Sequence, residues 1–122
     1  MVRNRTSARQ AGTRFERKIA NYLAQILEDE IDRRVKTGNK DRGDISGLKI
    51  RGQRLVVECK DTTRTELPKW VKEAHTEAGN DDALTGIVIH KRKGVANPGQ
   101  QWVAMTVDDL LKLITGQRHE QQ

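Results

Sequence analysis

The spacing of the hydrophobic residues changes along this chain, and that change limits the folds it can adopt. Between Phe15 and Leu27 the apolar residues recur every three or four positions, which is the spacing of an amphipathic helix. The acidic run at 28–30 opposes the helix dipole, so the helix is expected to end between Leu27 and Glu30. The pattern predicts that this helix begins near Thr13.

After this helix the sequence switches to strand-like alternation. Three strands in succession are predicted, over residues 31–37, 44–50 and 54–60. The remaining elements are predicted in the order helix 68–79, a strand from 85 that runs into a basic loop, strand 101–106 and helix 106–114. The fold class is therefore α/β, with a mixed central β-sheet flanked by helices.

The length and composition suit one small domain with polar ends. The 122 residues fit a single domain at 12–116, with a frayed tail at 117–122. Residues 1–11 carry Arg3, Arg5 and Arg9 and almost nothing apolar, so they are predicted to be a flexible basic arm. The alternative is a merely solubilising or cloning-derived tail.

The charge and the cysteine usage restrict the function classes. The formal net charge of +6 favours a polyanionic partner, such as nucleic acid. Cys59 is the only cysteine, which excludes an intramolecular disulfide and a cysteine-rich zinc site. No apolar stretch has the length of a membrane span, and the N-terminus lacks a signal-peptide core, so a cytoplasmic location without membrane association is expected.

The segment RLVVECK at 54–60 places charged residues at the end of an apolar strand. Side chains of a strand alternate between its faces, so Glu58 and Lys60 point the same way and Cys59 points to the core. An unpaired charge in a shielded place is costly. Either the two residues form an ion pair at a solvated strand end, or the acid binds a divalent metal.

A second acid makes the metal interpretation attractive. Asp44 begins the strand that is predicted to pair with 54–60, so it could lie beside Glu58. Two carboxylates and the backbone carbonyl of Cys59 would hold one or two divalent ions, with Mg²⁺ expected and Mn²⁺ as the alternative. Lys60 could then orient or help to deprotonate a metal-bound water, or offset charge on a phosphate.

These residues resemble the motif of the PD-(D/E)xK nucleases. GDI at 43–45, a hairpin and then VVECK at 56–60 match its aspartate, glutamate and lysine, and the order of elements resembles the nuclease core over roughly 12–115. The chain departs from the family pattern at Gly43, where the motif has proline. The resemblance implies a restriction-endonuclease-like core and catalytic roles for Asp44, Glu58 and Lys60.

A closer likeness is to archaeal-type Holliday-junction resolvases, in which an acid on the first helix also serves the metal site. GTRFERKIANYL at 12–23 has that shape, with Glu16 at the flank of the apolar stripe. Thr37–Gly38 stands where those resolvases have serine and glycine. The resemblance implies a metal-dependent, structure-selective DNA endonuclease that acts on branched DNA as a homodimer, with Glu16 as a further catalytic and metal-binding residue.

Basic and hydroxyl residues before Asp44 are candidates for contacting DNA phosphates, because they lie close to the proposed site; the alternative is a solvated strand face. They are Arg33, Arg34, Lys36, Thr37, Lys40 and Arg42. Two other functions stay open. One is a restriction-like, repair or exonucleolytic enzyme with the same core, and the other is a DNA-binding protein whose carboxylates are structural.

Overall fold

The computed structural model describes residues 3–28, 30–34 and 41–118. Its helices are α1 Arg5–Leu27, α2 Leu67–Asn80 and α3 Val107–Thr115. Its strands are β1 Asp32–Arg33, β2 Ile45–Ser46, β3 Lys49–Ile50, β4 Gln53–Lys60, β5 Thr85–His90 and β6 Trp102–Ala104. A short 3₁₀ helix, Pro98–Gln100, precedes β6. The α/β class, with a mixed sheet flanked by helices, is confirmed.

The strands of the described residues form a sheet in the order β1-β2-β4-β5-β6, with β3 also paired to β4. Strands β4 and β5 are parallel, and Glu58 lies opposite Val88. The remaining pairs are antiparallel. The parallel pair requires a crossover, which α2 supplies. Strand β4 therefore lies inside the sheet, and its C-terminal residues are shielded on both faces.

Each face of the sheet has its own apolar layer. On one face, Phe15 and Ile19 of α1 pack with Val57 of β4. On the other face, Trp70 of α2 packs with Val88 of β5. The apolar residues that recur at helical spacing in α1 and those on one face of the alternating strand 54–60 thus pack into the same layer, as the two periods predict.

Helix α2 lies unusually close to β5 at Gly86. A Cβ atom at this position would lie 2.2 Å from the carbonyl oxygen of Ala74. Any residue other than glycine would therefore push the helix away from the sheet. Since α2 carries residues of the site described below, this close approach helps to set the distance between these residues and the sheet.

The predicted start of the first helix is wrong. Helix α1 begins at Arg5 rather than near Thr13, because the side chain of Asn4 caps it by accepting a hydrogen bond from the Ser7 N–H at 2.7 Å. Ala11 is buried, and Arg3 forms an ion pair with Asp61 at 3.0 Å. The described part of the predicted arm, residues 3–11, is thus largely helical and connected to the domain.

Two other boundaries differ from the prediction. The strand expected at 31–37 is described only at Asp32–Arg33, and residues 35–40 lie outside the described part of the chain. At the C-terminus, Arg118 forms an ion pair with Asp82 at 2.9 Å, so at least this residue of the predicted tail contacts the domain. Residues 119–122 also lie outside the described ranges.

The last helix begins with a capping box. The Thr106 hydroxyl accepts from the Asp109 N–H at 3.1 Å, and the Asp109 carboxylate accepts from the Thr106 N–H at 2.9 Å. The buried Asp109 carboxylate also binds His75 and Thr85. It therefore joins α3 to both α2 and β5.

Among the described residues, no helix combines the length and the hydrophobicity that crossing a membrane requires.

Candidate metal centre

The end of β4 presents its side chains as alternation predicts. Glu58 is only 5% exposed, on the face that α2 covers. Cys59 is turned the other way, into the layer beneath α1. Burial raises the pKa of the Cys59 thiol, so this residue stays a neutral core side chain.

Strand β2 brings Asp44 to the same place. Ile45 lies opposite Val57, and the Asp44 N–H donates to the Val57 carbonyl at 2.9 Å. The Asp44 carboxylate accepts from the Cys59 N–H at 2.7 Å and lies within hydrogen-bonding reach of the Glu58 carboxyl. The two acids predicted to meet across the ladder are therefore adjacent.

Gly43 is needed for this arrangement. Its φ is +95°, and a Cβ atom there would lie 2.8 Å from the Val56 Cγ1 atom. Proline fixes φ near −65°, so the proline of the nuclease motif would not fit this backbone. The departure from the motif is thus a consequence of the local turn.

The backbone carbonyl of Cys59 points to the same edge of β4 as Asp44. Within a strand, the N–H and C=O of one residue point to the same side, and the Cys59 N–H meets the Asp44 carboxylate. Antiparallel pairing with β2 has ended by this position, since Ile45–Val57 is the described pair. The carbonyl, Asp44 and Glu58 thus form an oxygen-rich set of the kind that Mg²⁺ binds.

Helix α1 adds the third predicted acid. Glu16 lies on the flank of the buried stripe, and its carboxylate accepts from Arg33 Nε at 3.0 Å. It is also within hydrogen-bonding reach of Asp44. Burial and the Asp44 charge raise the pKa of Glu16, and the Arg33 guanidinium partly offsets this rise.

The two central acids are poorly stabilised as carboxylates without a cation. Burial, followed by the hydrogen bond and charge of Glu58, raises the pKa of Asp44 to about 8. Burial also raises the pKa of Glu58 to about 8, although the hydrogen bond with Asp44 acts in the other direction. A divalent cation at these oxygens would compensate the negative charge that burial disfavours.

Lys60 is held by an acid that the sequence reasoning missed. Its Nζ atom lies 3.0 Å from a carboxylate oxygen of Glu73 on α2. Burial alone would lower the pKa of Lys60, but the Glu73 hydrogen bond and the Glu58 charge outweigh it and the pKa is raised. Lys60 is thus an ammonium group, suited to donating hydrogen bonds to water or phosphate rather than to removing a proton.

Two further acids approach Glu58, and neither was predicted. Asp41, Glu58 and Glu77 each present a carboxylate oxygen within 4.8 Å of the others. Glu77 could have been found, because it shares the buried face of α2 with Trp70 and Ala74. A charged residue on an apolar stripe requires a partner. Asp41 gave no such signal, since it stands in a polar loop.

Some of the predicted DNA-binding residues bind other residues of the protein. Arg33 binds Glu16, and Arg34 donates to the Arg42 carbonyl at 3.0 Å and pairs with Asp81 at 3.3 Å. Arg42 is exposed. The other three predicted residues, Lys36, Thr37 and Lys40, lie outside the described part of the chain.

Comparison with protein-family models, with curated proteins and with solved structures found no match.

Proposed function

We propose that this chain is a metal-dependent, structure-selective DNA endonuclease that resolves Holliday junctions. The observation that carries the proposal is the approach of Asp44 to Glu58 at the buried end of β4, with Lys60 on the same face as Glu58. This grouping supports the resemblance to the PD-(D/E)xK motif, because a bare aspartate and a distant ExK sequence need not meet in space. The raised pKa values of Asp44 and Glu58 agree with a site that binds a cation.

The oxygens of Asp44 and Glu58, with the Cys59 carbonyl, would hold Mg²⁺ or Mn²⁺. When bound, the ion lowers the pKa of water and offsets charge on the phosphodiester. Glu16 supports Asp44 and is itself positioned by Arg33. Lys60, once released from Glu73, donates to the attacking water or to a phosphate oxygen.

Resolving a four-way junction requires two symmetric cuts, so the proposal includes a twofold dimer. The edge strand β6 and helix α3 each expose apolar residues, which are the candidates for contacting a second copy. Its exposed residues are Trp102, Val103, Val107, Leu110, Leu111 and Ile114. A cytoplasmic location is also proposed, in keeping with the free, buried thiol of Cys59.

A cleavage assay on a four-way junction, beside duplexes made from its linear arms, tests the proposal. We expect Mg²⁺-dependent cuts in the junction and at least tenfold slower cleavage of the linear arms. Equal cutting of both substrates would favour a restriction-like or repair nuclease. DNA binding without cleavage in Mg²⁺ or Mn²⁺ would favour the non-catalytic alternative.

The basic N-terminal part of α1 is expected to contact DNA. Arg5 and Arg9 are exposed and one helical turn apart, so they lie on one face. Replacing both with Gln should weaken junction binding and reduce the slope of log affinity against log salt by about one for each phosphate that the arginines neutralise. Fluorescence anisotropy at several salt concentrations measures both quantities. An unchanged affinity and slope would show that this face does not contact DNA.

A further inference from the structure

Three carboxylates from three different segments converge beside the candidate site. Asp41 comes from the loop before β2, Glu58 from β4 and Glu77 from α2, and their oxygens lie within 4.8 Å of one another. Divalent cations such as Ca²⁺ and Mg²⁺ bind oxygen ligands at about 2.0–2.6 Å. Oxygens this close together are therefore within the span that one ion can bridge.

Glu77 is the residue that distinguishes this group from an ordinary acidic cluster. It is only 4% exposed, and its Oε1 atom is buried without a hydrogen-bond partner among the described residues. Buried carboxylate oxygens are normally paired, because losing water without compensation is costly. The Glu77 carboxyl lies within hydrogen-bonding reach of Glu58, but its Oε1 atom is left unpaired. A buried, unpaired carboxylate oxygen on a side chain that lies beside two other carboxylates is a ligand that a cation can use.

The loop that carries Asp41 is fixed in this position. The Asn80 amide, at the end of α2, donates to the Asp41 carbonyl at 2.8 Å. The Gly43 N–H donates to the Asp41 carboxylate at 2.9 Å. The loop is thus anchored to the same helix that supplies Glu77, and the three acids are held in place by contacts outside the cluster.

We propose that Asp41, Glu58 and Glu77 form a second site for a hard divalent cation, of the Mg²⁺, Mn²⁺ or Ca²⁺ class. Glu58 is shared with the Asp44 site, whereas Asp41 and Glu77 belong to the second site alone. The ion would connect the 41–43 loop and α2 to β4. This site shares Glu58 with the site of the proposed function, but it requires no nuclease activity.

Titration of the full chain with Mn²⁺, followed by electron paramagnetic resonance of the free ion, tests this site. Wild type should bind two ions. Glu77→Gln and Asp41→Asn should each weaken one of them at least tenfold and leave the other unchanged. Asp44→Asn should weaken only the other ion. Glu66→Gln, an exposed acid at the far end of α2, serves as the matched control.

Circular dichroism in metal-free buffer establishes that each variant is folded. Asp41→Asn, on a loop, keeps the test decisive if Glu77→Gln does not fold. Mn²⁺ binding that neither variant alters in number or affinity would overturn the proposal, and the acids would then be held by shared protons. Loss of cleavage in Asp44→Asn, with Mn²⁺ binding at Glu77 intact, would separate this site from the catalytic one.

Discussion

Asp44→Asn and Glu58→Gln should each reduce Mg²⁺-dependent cleavage of a four-way junction by at least about a hundredfold while DNA binding is retained. Both substitutions keep the size of the side chain but remove the charge that a cation requires. Folding should tolerate them, because each carboxyl is buried against another acid and an amide can satisfy the same hydrogen bonds. Single-turnover cleavage and anisotropy binding measure the two effects.

Glu66→Gln is the control for this experiment as well, since it removes an acid that is exposed at the start of α2. It should cleave at the wild-type rate. If Asp44→Asn and Glu58→Gln also cleave at that rate, the active-site assignment is wrong. If they lose DNA binding together with cleavage, the acids support the binding surface rather than the reaction.

The second large effect is on stability. Without divalent metal, the protein should be more stable at pH 5 than at pH 8. The pKa of Asp44 is raised from an ordinary 3.8 to about 8, and that of Glu58 from 4.5 to about 8. At a pH between the ordinary and the raised pKa values, the folded chain binds more protons than the unfolded chain. The free energy of unfolding therefore falls as the pH rises from 5 to 8. We expect a loss of about 2 kcal/mol or more, measured by urea unfolding in EDTA.

Added Mg²⁺ should reverse this trend, because a cation and protons compete for the same carboxylates. The stabilisation by Mg²⁺ should therefore be larger at pH 8 than at pH 6. The double variant Asp44→Asn with Glu58→Gln should lose most of the Mg²⁺ effect and much of the pH dependence. The remaining pH dependence is expected from Glu77, because burial raises its pKa from 4.5 to about 7. A wild-type stability in EDTA that is level from pH 5 to pH 8 would contradict the assigned protonation.

The measurement should not go below pH 5, because the pKa of Asp109 is shifted in the opposite direction. Burial would raise its pKa, but the hydrogen bonds from Thr85, His75 and Thr106 outweigh that effect and lower it. Its contribution to stability is present above its ordinary pKa of 3.8 and is lost as the pH falls through the lowered value. The two effects therefore occupy different pH ranges.

Periodic features of the chain were predictable, and features set by the loops were not. Strand alternation alone assigned Glu58 and Lys60 to one face and Cys59 to the core. The start of α1 was missed because the first turns after Asn4 contain few apolar residues and show no hydrophobic spacing. The Asn4 cap nevertheless stabilises the helix from Arg5 onward. Hydrophobic spacing reports the buried part of a helix, and exposed turns at its ends leave little signal.

The sequence by itself determined the α/β class, the facing of the ECK residues and the pairing of Asp44 with the end of β4. These follow from local periods and from a short hairpin, which need only nearby residues. The tertiary structure decided which other groups meet them. It brought Glu73 to Lys60, Arg33 to Glu16, and Asp41 and Glu77 to Glu58. The contacts of Glu73, Glu77 and Asp41 depend on how deeply α2 packs at Gly86 and on where Asn80 holds the loop, and the Arg33 contact depends on how α1 packs beside β1. No local pattern encodes these distances.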